Sequence, residues 1–385
     1  MRRGPEGNLN LLKALKHWIY PTASKYFSRA ALVEGVLGKT DQPFRCLLID
    51  NSPFTEYLLH KAFAEPAHIA KKWKIWIPAL KRLIGEPPLD LDMCIAVLPQ
   101  RYESNFRGLY NFKCREWVRQ VLDISDPWDS IRRRFHKNPK ETERKIRKHS
   151  LSIRVSNDTG DFDSFFYQMY LPHTLKQFGS LSNVSTYEYM RSVFSRGFLL
   201  LVMDGDKAIS GGICFACDGA LTFSRLGVLH GEERYLRKGA QSALYYFIIR
   251  LAKDNNLQKV DLMKSRSFLD DGVYRHKREW GATVYPDDES ESWVYFFIPR
   301  ASRKAASFFE SNPVIIHTEN GLKGVVGINS GIKLPDEARR DLMGQFYAPG
   351  IESLLVLSPH SDMPVEVSFG DCIHNGVRAR GIGGN

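Results

Sequence analysis

The chain has 385 residues, 43% of them hydrophobic and 25% charged, which allows two or three domains with ordinary cores. Its longest apolar run, Gly197–Met203, is too short to span a bilayer. Six scattered cysteines and the lack of a basic-apolar-small leader pattern argue against a disulfide framework and a secretory signal. The expected place is therefore the cytoplasm, with peripheral contact to the inner face of the membrane as a variant. Lys plus Arg number 54 against 43 Asp plus Glu, a formal charge of +11. That favours an anionic partner: a phosphate-bearing cofactor, a nucleic acid or an acidic membrane surface.

Residues 1–40 read as an amphipathic appendage. Leu11, Leu12, Leu15, Trp18 and Ile19 share a helix side, and Pro21 ends it. Such a helix either docks on its own domain or, through residues 9–20, rests on an anionic membrane. Residues 41–157 form a first, incomplete domain. Strands are expected at Cys46–Ile49, Met93–Leu98 and Trp117–Ile124, and helices near 54–64 and 72–84. A basic helix is expected from Pro139 to about His149, with Asn138 as its N-cap and Glu141 as the reciprocal cap. Strand Leu151–Val155 follows.

Residues 158–300 read as a second domain. Asp161–Phe178 and Thr186–Ser195 read as amphipathic helices. Phe198–Met203, Ala208–Cys217 and Ala220–Val228 read as an antiparallel meander, because Asp204-Gly205 and Asp218-Gly219 stand between apolar runs. A basic segment, Arg234–Gly239, opens a long helix to about Asp254. Strand Lys259–Met263, helix Gly272–Trp280 and strand Ser292–Ile298 complete it. Residues 301–385 are an extension with strands expected at 313–317, 325–328 and 354–357, and a Gly/Arg-rich tail expected to be disordered.

The stretch Arg237–Ala282 resembles the FemAB-like branch of the GNAT (GCN5-related N-acetyltransferase) superfamily. The resemblance rests on a strand with a central Asp, here Asp261, followed by Tyr-x-x-Lys-x-x-x-Gly, here Tyr274, Lys277 and Gly281. ETERKIRKHSLSIRV and FFYQMYLPHTLKQFGS are similar to the helix–strand and helix of that branch, and the likeness covers roughly residues 92–300. Gln241 and Leu236 depart from the GNAT pyrophosphate signature, and His276 stands where that branch often has Phe. The resemblance implies an α/β fold of tandem GNAT-like domains, each a mixed, mostly antiparallel sheet flanked by helices. It further implies transfer of an acyl or aminoacyl group from an activated donor (acyl-CoA as co-substrate, or aminoacyl-tRNA) to an amine of a cell-envelope or polysaccharide precursor.

On that reading Val228 and the start of the long helix, Arg234, Arg237, Lys238, Gly239 and Gln241, bind the donor, since helix N-termini and glycine admit phosphate. The alternative for this segment is a solvated basic helix start. Lys277 stabilises an oxyanion or holds an acceptor carboxylate, Tyr274 protonates the leaving group, and Asp271 stands as a base beside Asp261 and Asp270. Lys277 also fits a surface position, Tyr274 a core position, and Asp271-Gly272 a turn. Arg144, Lys145, Arg147 and Lys148 hold an acceptor or polyanion, or form a solvated face. Cys214 and Cys217 would point to opposite faces of a strand and read as core thiols, and no metal site is expected. The reading from a different class is a nucleic-acid-binding protein that uses the same scaffold without catalysis.

Overall fold

The computed structural model describes residues 26–50, 52–86, 90–179, 184–299, 304–328, 334–361 and 363–369. The expected amphipathic helix over 9–20 and the Gly/Arg tail lie outside them. The described residues are α/β, with three sheets and helices on their faces.

The first sheet begins with the hairpin β1 (Phe27–Val36) and β2 (Pro43–Ile49), then α1 (Phe54–Ala62), β3 (His68–Trp76), α2 (Ile77–Gly85), β4 (Met93–Pro99), α3 (Glu103–Phe106) and β5 (Phe112–Cys114). From Phe27 onward the expected appendage is instead a strand inside this sheet, flanked by β3 and β2. The expected helix 72–84 is also corrected. Trp73 and Ile75 turn inward while Lys72, Lys74 and Trp76 are exposed, an alternation of period two that the Lys-rich composition conceals. Helix α2 starts only at Ile77.

Next come β6 (Trp117–Asp123), α4 (Trp128–Arg134), α5 (Lys137–Lys148), β7 (Ser152–Ser156) and α6 (Thr159–Ser164). A π-helical turn, Phe165–Tyr170, joins α6 to α7 (Leu171–Phe178), and α8 (Tyr187–Phe194) follows. Helix α5 is entered from His136, not Asn138, whose side chain instead reaches Glu279 at 2.9 Å. The meander β8 (Phe198–Asp204), β9 (Lys207–Cys217) and β10 (Ala220–Val228) has the expected hairpins. Then come α9 (Glu233–Lys238), α10 (Ala240–Asp254), β11 (Lys259–Arg266), α11 (Gly272–Glu279), β12 (Thr283–Pro286) and β13 (Ser292–Phe297).

The sheet orders are β3-β1-β2-β4-β13-β5 and β12-β6-β11-β10-β9-β8-β7. Each sheet thus takes a strand from the other's stretch of chain: β13 lies between β4 and β5, and β6 between β11 and β12. Both inserted strands are antiparallel to their neighbours. A division at residue 157 therefore does not separate the two sheets.

The extension builds a third sheet, β14-β15-β16-β17, from β14 (Val314–Thr318), β15 (Gly321–Gly327), β16 (Ile351–Leu357) and β17 (Val365–Ser368), with helices α12 (Ala305–Ser311) and α13 (Asp336–Phe346). It is sewn to the loop before α11: Leu269 N–H donates to Pro313 O at 2.9 Å and Ile315 N–H to Ser267 O at 2.8 Å. Its core includes Leu269, Tyr274, Ile315, Phe346 and Leu354.

Candidate active site

The second sheet opens where β10 and β11 part. They pair in parallel only from Ala220–Thr222 against Lys259–Asp261. Beyond that, β10 continues to Val228 paired with β9, while β11 bulges after Asp261 and rejoins β6 at Lys264. Met263, at φ +63°, makes that bulge. The Asp261 carboxylate braces it, accepting from Met263 N–H at 2.8 Å. On the other side β10 has its own bulge between Phe223 and Arg225, which re-aims Arg225. The result is a wedge in which β10 beyond Thr222 has no strand partner on its β11 side among the described residues.

Lys277, on α11, is 4% exposed and sits at the floor of this wedge. Its Nζ donates to Lys264 O at 2.9 Å and Met263 O at 3.3 Å, the two carbonyls of the bulge. Burial pushes its pKa down to about 7; Asp261 and Asp271 oppose that shift, and Arg225 adds to it by repulsion. Arg225 is half-buried, donates to Ser185 Oγ at 3.0 Å and lies over the exposed Tyr189 ring at 5.8 Å. The sequence reading missed Arg225, because only the bulge distinguishes it from any strand arginine.

The other residues of the Tyr-x-x-Lys element are structural. Tyr274 is fully buried in the core shared with the third sheet, and burial raises its pKa strongly. Its ring packs with Leu269, Ile315 and Leu354 of that core, so the alternative reading as core holds for Tyr274. His276 packs with its ring 4.6 Å from the Tyr245 ring and near Trp280. Burial lowers its pKa to about 4. Asp271 is the N-cap of α11: it accepts from Tyr274 N–H at 2.9 Å and from Tyr57 Oη at 3.3 Å. Asp270 binds Lys61 at 2.7 Å and Lys39 at 3.3 Å. Asp261, 2% exposed, pairs with Arg119, whose Nε lies at 3.0 Å. All three carboxylates are engaged, which corrects the expectation of Asp271 as a base.

The start of α10 is the other half of the wedge. Gly239, at φ +88°, ends α9 and begins α10 with no side-chain cap. The first N–H groups of α10, from Ala240, Gln241 and Ser242, have no acceptor within the helix. Ser210 Oγ fixes this turn to β9 by donating to Ala240 O at 2.8 Å. Arg234 pairs with Glu232, Arg237 with Glu233 at 3.3 Å and Lys238 with Asp204 at 2.5 Å. Val228 is fully buried and presents only backbone.

The corresponding helix of the first sheet is closed. There Asp50, at the end of β2, accepts from Thr55 N–H at 2.9 Å and Ser52 N–H at 2.5 Å, so a carboxylate of the chain occupies the anion position of α1.

On the basic helix, Arg144 pairs with Glu141, and Arg147 and Lys148 are exposed. Lys145 differs: its side chain packs over Gly239, where an added Cβ would come within 3.1 Å of its Cδ. Cys214 is buried and Cys217 exposed, on opposite faces of β9, so only Cys214 is a core thiol.

No family model matches the chain, and no curated protein matches it. Among solved structures it is similar to FemX, with 10% identity and a TM-score of 0.38 over 73% of this chain and 86% of that one. It is also similar to L-PGS from Bacillus licheniformis, with 7% identity and a TM-score of 0.34 over 69% and 83%. A GCN5-related N-acetyltransferase from Sphaerobacter thermophilus aligns with 14% identity and a TM-score of 0.30 over 53% and 58%.

Proposed function

We propose that the chain is an N-acyltransferase that moves an acyl or aminoacyl group from a phosphate-bearing carrier to an acceptor amine in the β10/β11 wedge. The observation that carries this reading is the buried Lys277 at the wedge floor. A neutral lysine amine has two N–H groups and one lone pair. When both N–H groups are held by Met263 O and Lys264 O, the lone pair is left to act as a base.

In the proposed reaction the acceptor nitrogen attacks the donor carbonyl and its N–H proton passes to Lys277. The C–N bond forms as the C–S or C–O bond to the carrier breaks, and the proton returns to the leaving thiolate or alkoxide. The β10 edge beyond Thr222, which no strand pairs on the β11 side among the described residues, is suited to present N–H groups to the developing oxyanion. The uncapped start of α10, with Lys145 lying over Gly239, is suited to the carrier's phosphates. Acyl-CoA and aminoacyl-tRNA both fit that description, and an amine on a glycan or cell-envelope precursor is the acceptor class in keeping with the sequence resemblance.

The test is a panel of radiolabelled acetyl-CoA and aminoacyl-tRNA donors with amino-sugar acceptors, read against pH. Transfer should rise through about pH 7 as Lys277 loses its proton. Lys277→Arg, which stays charged, should lower the rate by roughly a hundredfold or more and abolish that limb. Unchanged turnover in this variant would remove Lys277 from the chemistry.

A further inference from the structure

The outer end of β1 and β3, far from any residue of the wedge in sequence, has an unusual surface. Strand β3 is the edge of the first sheet. Phe27 stands directly opposite Trp76, Arg29 opposite Lys74, and Ala31 opposite Lys72, all on one face. Trp76 is 51% exposed, Tyr26 50% and Phe27 42%, and Arg29, Lys72 and Lys74 are exposed behind them. Residues 26–33 and 68–85 contain Arg29, Lys71, Lys72, Lys74, Lys81 and Arg82 and not one carboxylate. Glu34, next along β1, pairs with Arg45 at 2.9 Å, and Glu86, just after α2, pairs with Arg82 at 3.8 Å.

We infer that this edge docks on an anionic phospholipid bilayer. The surface divides into an aromatic tip and a cationic row. A strand rises about 3.3 Å per residue, so Arg29 and Lys74 lie roughly 7 Å behind Phe27 and Trp76. That spacing matches a tip inserted about 5–10 Å into the headgroup boundary with the cations at the phosphate level. Aromatic side chains at the interface and lysines at the anionic surface are the two halves of peripheral binding. Single-stranded nucleic acid is bound by aromatics set along a basic groove for successive bases. Here the aromatics are gathered at one end of the sheet edge instead.

Full-length protein would be sedimented with phosphatidylcholine vesicles, with and without phosphatidylglycerol, beside a tRNA-binding titration. The expected result is binding only to the phosphatidylglycerol vesicles. Lys72→Gln with Lys74→Gln should lower the partition coefficient roughly thirtyfold, at about 1 kcal/mol per lysine. Trp76→Ser should weaken binding even at raised salt. Circular dichroism of each variant checks that the fold is kept, and these solvent-facing side chains leave the core intact. The inference is overturned by equal binding to both vesicle types, by an unchanged partition in the double variant, or by tRNA binding that the lysine changes abolish while vesicles go unbound. None of these outcomes bears on acyl transfer, which is assayed separately.

Discussion

At the scale of single residues, Lys277 decides most. Its ordinary pKa near 10.4 is that of the unfolded chain, and burial holds the folded value at about 7. Between those values the unfolded chain carries a proton the folded chain lacks, so stability rises with pH across the window. The slope is bounded by about 1.4 kcal/mol per pH unit, and the two carbonyl bonds, which favour the ammonium, make it shallower. The buried thiols of Cys46, Cys94, Cys114 and Cys214 act oppositely at higher pH, since burial raises their pKa values. The comparison therefore belongs between pH 7 and 8. Urea denaturation there should show wild-type stability gaining on Lys277→Met as pH rises; parallel curves would mean that the folded lysine is fully charged. The sequence exposed this residue because the Tyr-x-x-Lys spacing is local. It could not show that Tyr274, one turn away, faces the third sheet, because that depends on chain folded from a distant segment. The Asp271 cap, by contrast, is a local contact with Tyr274 N–H, close to the turn reading of Asp271-Gly272.

At the scale of elements, the wedge depends on a close contact that no local pattern announces. Gly227 in β10 lies against the π turn, and an added Cβ would collide with the Met169–Tyr170 peptide. Gly227→Ala should cost about 2–3 kcal/mol, because backbone rather than a flexible side chain must move. Gly344, in α13, has nothing within 4 Å of an added Cβ. Gly344→Ala should instead stabilise by about 0.5–1 kcal/mol through the unfolded chain's lost freedom. Urea midpoints of the two variants check the contrast in sign. The meander was legible since Asp204-Gly205 and Asp218-Gly219 set its hairpins locally, and Asp218, Gly205 and Gly219 have the positive φ those turns need. The π turn was not: Phe165, Phe166, Met169 and Tyr170 are all buried, so one extra residue in the turn leaves the apolar pattern unchanged. Strand β3 was misread for a related reason, its outward lysines fitting a helix as well as an edge.

At the scale of the whole molecule, the reciprocal insertion of β6 and β13 couples the first two sheets, and the third is bound to the loop that carries α11. No sequence signal reports such exchanges, because the partners lie far apart: β13 at 292–297 pairs with β4 at 93–99. The coupling predicts cooperative unfolding. Neither of the first two sheets can melt without losing a strand shared with the other's chain segment, so far-UV circular dichroism and tryptophan fluorescence should give coincident denaturation curves. The third sheet offers the sharper check. Leu354 is fully buried in β16, and an added Cβ on Gly324 would touch both it and Leu269, the residue leading into α11. Leu354→Ala should cost about 3 kcal/mol through the cavity it leaves. Because Leu269 and Tyr274 share that core, the same change should loosen α11 and lower transfer at the wedge without touching a wedge residue. A shifted but still single transition with reduced transfer is the expected result. Two separated transitions, with the wedge fully active after the first, would mean that the extension folds and unfolds on its own.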